Sequence, residues 1–171
     1  MPSWDHTFEN WLWRTDALEP RGEDTHPTVV FDMDGVLSDA SRRQHFLEAP
    51  RRDWESFFAA CGDDELIEEV ARLLEVIDPG QRIVLLTARP IRVMPQTLAW
   101  LDRYRLRWDL LIMRDFGDYS ASSNFKRRTV KELRSRSFDL RLGFEDDPRN
   151  VAMFHEQGVP CVYIHSGYYN T

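Results

Sequence analysis

Apolar residues in this chain fall into short continuous runs separated by longer stretches of helical spacing. Residues 29–31, 82–90 (RIVLLTARP), 109–113 (DLLIM), 140–147 (LRLGFEDD) and 159–165 (VPCVYIH) read as five strands. Between them, residues 66–77, 95–104, 126–136 and 151–157 carry apolar positions at helical spacing. Pro79-Gly80 ends the first of these helices and Gly158 the last. Strands alternating with helices predict an α/β sandwich of three layers around a five-stranded parallel sheet. Residues 4–18 place Trp4, Phe8, Trp11, Leu12 and Leu18 at near-helical spacing, which predicts an N-terminal amphipathic helix. A polar loop at 19–27 follows, so 1–27 reads as an extension and 28–171 as the folded domain, with a small insert at about 40–62. Phe46, Trp54, Phe57 and Phe58 are the expected buried side of that insert.

The run VVFDMDGVLSD at 29–39 breaks the apolar pattern with two carboxylates. Gly35 supplies a turn, so Asp32 and Asp34 leave the end of a strand, expected on one face. Carboxylates this close repel unless a cation or a proton separates them, and no fold needs that cost. In parallel sheets, ligands gather at the carboxyl ends of the strands. The same edge collects Thr87 and Arg89 from the second strand, Lys126 at the opening of the third helix, and Glu145, Asp146 and Asp147 from the fourth strand. Converging acids make an all-oxygen pocket suited to magnesium. No histidine pair has metal-ligand spacing, so zinc fits poorly. A hydroxyl, a lysine and an arginine beside such an ion complete a cradle for phosphate.

Composition narrows the setting. At 171 residues, with 42% hydrophobic and 30% charged residues, the chain has the size and balance of one globular domain. No apolar stretch approaches the roughly 20 residues that span a bilayer, and no signal-peptide pattern opens the chain. Cys61 and Cys161 are too few for a disulfide framework, which with the rest suggests a reduced, cytoplasmic setting. The net charge of −7 argues against non-specific nucleic-acid binding by the whole surface. Residues 126–141 are nonetheless strongly basic, a solvated helix face or a track for a polyanion. Trp4, Trp11 and Trp13 exceed what one helix face buries, so a second copy or a partner domain could pack there.

DMDGVLSD, the strand ending in Thr87, Lys126 and Asp146-Asp147 together resemble the four signature motifs of the haloacid dehalogenase superfamily. The resemblance covers about residues 28–167 and implies that superfamily's fold. It implies that Asp32 is a nucleophile forming an aspartyl-phosphate and that Asp34 is the proton donor and acceptor. Thr87 and Lys126 would hold phosphoryl oxygens. Asp32, Asp34 (by its backbone carbonyl), Asp146 and Asp147 would hold magnesium. Neither 40–62 nor the loop before Lys126 is long enough for an independent cap, so the site is expected capless or minimally capped. The segment MRDFGDYSASSNFK at 113–126 is similar to the one preceding the motif lysine in polynucleotide kinase 3′-phosphatase domains of the bacteriophage type. Those domains also carry arginines matched here by Arg42 or Arg43 and by Arg89; Arg43, Ala88 and Arg89 are therefore expected to bind substrate. The function implied is a magnesium-dependent phosphomonoesterase that removes a terminal 3′ phosphate from RNA or DNA. A small-molecule phosphatase and a non-catalytic module of the same fold are the alternatives, the latter disfavoured by the intact motif set. No GxxxxGK[ST] loop accompanies it, so no kinase half is expected within the chain.

Overall fold

In the computed structural model, which describes residues 9–14, 17, 26–48 and 50–169, Trp11–Trp13 (β1) is a strand. Pro27–Phe31 (β2), Arg82–Pro90 (β5), Leu110–Arg114 (β6), Asp139–Glu145 (β7) and Cys161–Tyr163 (β8) supply the five expected strands. Two short strands, Ser38–Asp39 (β3) and Glu65–Leu66 (β4), pair with each other outside that sheet. The helices are Trp54–Ala59 (α1), Glu68–Val76 (α2), Met94–Arg103 (α3), Ser122–Ser135 (α4) and Pro148–Glu156 (α5).

The main sheet runs β1-β6-β5-β2-β7-β8, parallel throughout except for β1. The chain moves outward from β2 through β5 to β6, then returns to the other side of β2 with β7 and β8. The order therefore reverses beside β2, and the carboxyl end of that strand is the switch point where ligands bind in such sheets. Alternation along β2 divides the core. Val29 and Phe31 join Val70, Leu74, Trp100 and Leu101 under α2 and α3. Val30 joins Phe125, Val130, Leu133, Met153 and Phe154 under α4 and α5.

Three expectations need correction. The N-terminal helix is not formed by the described part of 4–18. Trp11, Leu12 and Trp13 instead pair antiparallel with Ile112, Leu111 and Leu110, adding a sixth strand to the sheet. The physical reason is the edge of β6, whose backbone groups need partners that β1 supplies. Trp11 and Trp13 then share a face and pack on the α4 side of the core; Trp4, Phe8 and Leu18 lie outside the described residues. Second, α4 begins at Ser122, so Lys126 lies in its second turn rather than opening it. Third, only Phe57 of the four insert aromatics is fully buried, and Trp54 is exposed, stacked on Phe58 at 5.8 Å. No helix among the described residues is long and apolar enough to cross a membrane.

Candidate active site

β2 ends at Phe31, and the next residue, Asp32, still donates its backbone N–H to Phe144 O at 3.0 Å. The chain then turns sharply. The N–H groups of Val36, Leu37 and Ser38 all donate to Met33 O, and Gly35 sits at φ +82°. Glycine is required there for two reasons. The backbone conformation is left-handed, and a Cβ would lie 2.1 Å from Asp146 Oδ2. This turn sends the two carboxylates to different partners, because the pleat that would keep them on one face stops at Phe31.

Asp32 Oδ1 lies 2.9 Å from Lys126 Nζ. Lys126 is buried and also donates to Glu145, so one ammonium serves two acids. Burial opposes its charge, but Asp32 and Glu145 outweigh burial and raise its pKa. Burial and the neighbouring Asp32 push the Glu145 carboxyl well above its ordinary range.

Asp34 is held differently. Arg43 Nη2 donates to its Oδ1 at 2.6 Å, and Arg89 donates to the same oxygen through Nε at 3.0 Å and Nη2 at 2.6 Å. Burial works against ionisation of Asp34, yet the two guanidinium groups win and hold its carboxyl at about 2. Both arginines are fully buried. Asp64 balances them, accepting from Arg43 Nε at 2.8 Å and Nη2 at 2.6 Å and lying 3.5 Å from Arg89 Nη2. Ser38 donates to Asp64 and accepts from Arg89 at 3.0 Å. The Arg43 guanidinium also lies 4.4 Å from the Phe57 ring centre. Thr87 Oγ1 accepts from Arg89 N–H at 3.2 Å, which leaves its own O–H to donate. Ala88 is half-buried, and its carbonyl accepts from Arg114 Nε at 3.2 Å.

Asp146 is the anomaly. It is buried, and neither carboxylate oxygen has a hydrogen-bond partner among the described residues, although Ser166 lies close by. Burial, followed by repulsion from Asp32, pushes its carboxyl up to about 8. Oxygens of Asp32, Glu145 and Asp146 lie within 4.8 Å of one another. A buried carboxylate without a donor, beside a second one, suits a hard divalent cation. Asp32 and Asp146 fit such an ion, while Glu145 is occupied by Lys126. Asp147 faces elsewhere: it caps α5 by accepting from Arg149 N–H at 2.9 Å, and it pairs with the Arg149 side chain.

The structure thus brings Asp32, Thr87, Lys126 and Asp146 to one edge beside β2, with Asp34, Arg43 and Arg89 as an adjoining network. Sequence reasoning missed Asp64, which sits in an acidic stretch that reads as solvated surface, and the tie between Glu145 and Lys126. The basic stretch of α4 is largely spent on surface pairs, including Arg127–Glu156 and Arg128–Asp118 at 2.6 Å each.

Known proteins extend this picture. No curated protein matches the chain. Among solved structures, a chain of the Pnkp1/Rnl/Hen1 RNA repair complex is similar with 25% identity and a TM-score of 0.66, over 89% of this chain and 47% of that one. A second structure of the Pnkp1/Rnl/Hen1 complex gives 24% identity and a TM-score of 0.67, over 90% and 51%. The chain therefore spans about half the length of these relatives. Class C acid phosphatase from Bacillus anthracis, with tungstate bound, shares the fold at 17% identity and a TM-score of 0.61, over 86% and 70%. The family described as the polynucleotide kinase PNKP phosphatase domain matches residues 26–169. Its span contains every residue of the site just described, and the chain belongs to that family, as a phosphatase of the haloacid dehalogenase type.

Proposed function

We propose that this protein is a magnesium-dependent phosphomonoesterase that removes a terminal 3′ phosphate from RNA or DNA through an aspartyl-phosphate intermediate. The observation that carries the reading is the buried, donor-free carboxylate of Asp146 beside Asp32, whose Oδ1 lies 2.9 Å from Lys126 Nζ. Asp32, Asp146 and the backbone carbonyl of Asp34 would hold magnesium, which neutralises phosphoryl charge as the transfer proceeds. Asp147, committed to Arg149, would support the α5 end of the site rather than reach the ion.

The chain's own groups then divide the work. An Asp32 oxygen attacks phosphorus, and the bond from phosphorus to the leaving alcohol oxygen breaks. That oxygen takes its proton from Asp34. Asp34 is ionised at neutral pH and takes up a proton as the anionic phosphate approaches, because a nearby like charge raises a carboxyl's pKa. Water next attacks the aspartyl-phosphate, gives a proton to Asp34 and releases inorganic phosphate. Lys126 and the Thr87 hydroxyl donate to the phosphoryl oxygens throughout. Arg43 and Arg89 converge on Oδ1 of Asp34, which leaves Oδ2 for proton traffic. Ala88, between Thr87 and Arg89, lines the phosphate's approach.

The nucleic-acid end is supported by family membership and by the insert, which comprises one short helix and two 3-10 turns and leaves room for a bulky substrate. The related Pnkp1 is found in a complex with Rnl and Hen1, which is consistent with an RNA substrate and with partner proteins. The test is phosphate release in magnesium from a 3′-phosphorylated oligonucleotide and from mononucleotides. Faster turnover of the oligonucleotide is expected, with Asp32→Asn inactive on both. Preference for mononucleotides would favour a small-molecule phosphatase, and activity surviving in Asp32→Asn would sink the mechanism.

A further inference from the structure

Phe116 and Tyr119 are the most exposed large apolar side chains among the described residues, at 88% and 93%. Both stand on one loop, residues 115–121, between β6 and α4. Solvent exposure of two rings on a loose loop would mean little, but this loop is tied down. Arg114 Nη1 donates to Ser120 O at 2.6 Å, closing the loop on itself. Asp118 accepts from Ser120 N–H at 2.9 Å and from Arg128 at 2.6 Å, while Phe116 N–H donates to Asp115 at 2.8 Å.

Both ends of the loop are fastened to the site. At its start, Arg114 Nε reaches the carbonyl of Ala88, next to Thr87. At its end, Asn150 links Ser122, 3.3 Å away, to Glu145, the partner of Lys126, at 3.4 Å. The rings therefore rise from the rim of the phosphate cradle.

We infer that Phe116 and Tyr119 form a stacking platform for the bases of a single-stranded nucleic-acid end whose terminal phosphate occupies the Asp32 site. This rests on the nucleic-acid reading above. A flat π face recognises any base, so such a platform selects a polymer end without reading its sequence. A protein partner fits less well. Its interface needs a continuous apolar core, whereas the rest of the loop is Asp115, Gly117, Asp118, Ser120 and Ala121.

The test measures steady-state kinetics of wild type and of Phe116→Ala/Tyr119→Ala on three substrates. These are a 3′-phosphorylated single-stranded oligonucleotide, the same strand with abasic sites next to the phosphate, and 4-nitrophenyl phosphate. The double variant should raise KM for the normal strand by about tenfold or more while keeping kcat. It should match wild type on the abasic strand and on 4-nitrophenyl phosphate. Phe116→Tyr/Tyr119→Phe, which keeps both rings, should retain the wild-type KM. Unchanged oligonucleotide KM in the alanine variant overturns the platform alone and leaves the rings to a protein partner. An equal loss on 4-nitrophenyl phosphate also overturns it, since the loop would then only brace the site. A wild type that cleaves 4-nitrophenyl phosphate but no oligonucleotide overturns the underlying reading as well.

Discussion

Arg43 and Arg89 both donate to Oδ1 of Asp34, and the effect of that pairing depends on pH. The carboxyl titrates at about 2 in the folded chain against an ordinary 3.8, despite burial, because two guanidinium groups face it. A lowered folded pKa means that the stabilisation is complete above the unfolded value and is lost as pH falls through the folded one. Asp34 should therefore contribute about 2 kcal/mol above pH ~4 that disappears towards pH ~2. Urea unfolding across this range, with a chelator present, should show a slope that Asp34→Asn flattens. An identical slope in the variant would mean that the pairing adds nothing to stability. Gly35 offers a steric counterpart. Gly35→Ala must adopt a positive φ at a cost of about 1–3 kcal/mol, and it pushes a methyl into the Asp146 carboxylate. Phosphate release should fall by about a hundredfold, the usual effect of displacing a reacting group by an ångström. Wild-type turnover would show that Asp146 can move aside without consequence. At this scale Asp32, Thr87 and Asp146 were legible because each closes an apolar run, whereas Lys126, preceded by a largely polar stretch, was read only as the lysine opening the third helix. Asp64 was not legible, because its partners Arg43 and Arg89 lie 21 and 25 residues away and only the folded insert brings them together.

Elements were readable where burial dictated their pattern. The central strands β2, β5 and β6 carry continuous apolar runs because both faces are covered, while the edge strand β8 leaves Val162 and Tyr163 exposed. β1 is a different kind of element. Its three residues were assigned to a helix because Trp4, Phe8, Trp11 and Leu12 share a helical spacing, while the alternation of Trp11-Leu12-Trp13 is too short to outweigh it. What decides the matter is the open edge of β6, a property of the sheet rather than of the segment. The start of α4 was missed for a similar reason: the polar residues 122–124 give no apolar signal ahead of Phe125. The edge role carries a prediction. Trp13 packs 6.1 Å from Phe138 between ring centres, half-buried at the periphery of the α4 layer. Trp13→Ala should cost about 1–2 kcal/mol, less than the loss for a fully buried aromatic, and should leave turnover intact because β6 and β5 lie between β1 and β2. Chemical denaturation alongside a phosphatase assay checks both halves. A collapse of activity at unchanged stability would contradict this placement of β1.

Across the whole molecule, the sheet gathers Asp32, Glu145 and Asp146 at its switch point, where their mutual repulsion works against the fold. Burial and Asp32 raise the Asp146 carboxyl to about 8. A raised folded pKa stabilises fully below the unfolded value, and that contribution is lost as pH rises through the folded value. The chelated protein should thus lose stability between pH ~4 and pH ~8 on account of this group. Asp146→Asn keeps the shape and removes the charge, so without metal it should melt above wild type at pH ~8. Magnesium should reverse the order. An ion binding only the folded chain at a hundred times its Kd adds about 2.7 kcal/mol, which for this size of domain is a rise of about 5–10 °C. That rise should occur in wild type and fail in Asp146→Asn. Scanning calorimetry with and without magnesium, on both proteins, makes the comparison. If the asparagine variant gained as much from magnesium as wild type, Asp146 would not be a ligand, and its orphaned oxygens would need another explanation. If instead the order reverses, the charge conflict that burdens the empty fold is the feature that lets it take up the ion, and one carboxylate accounts for both.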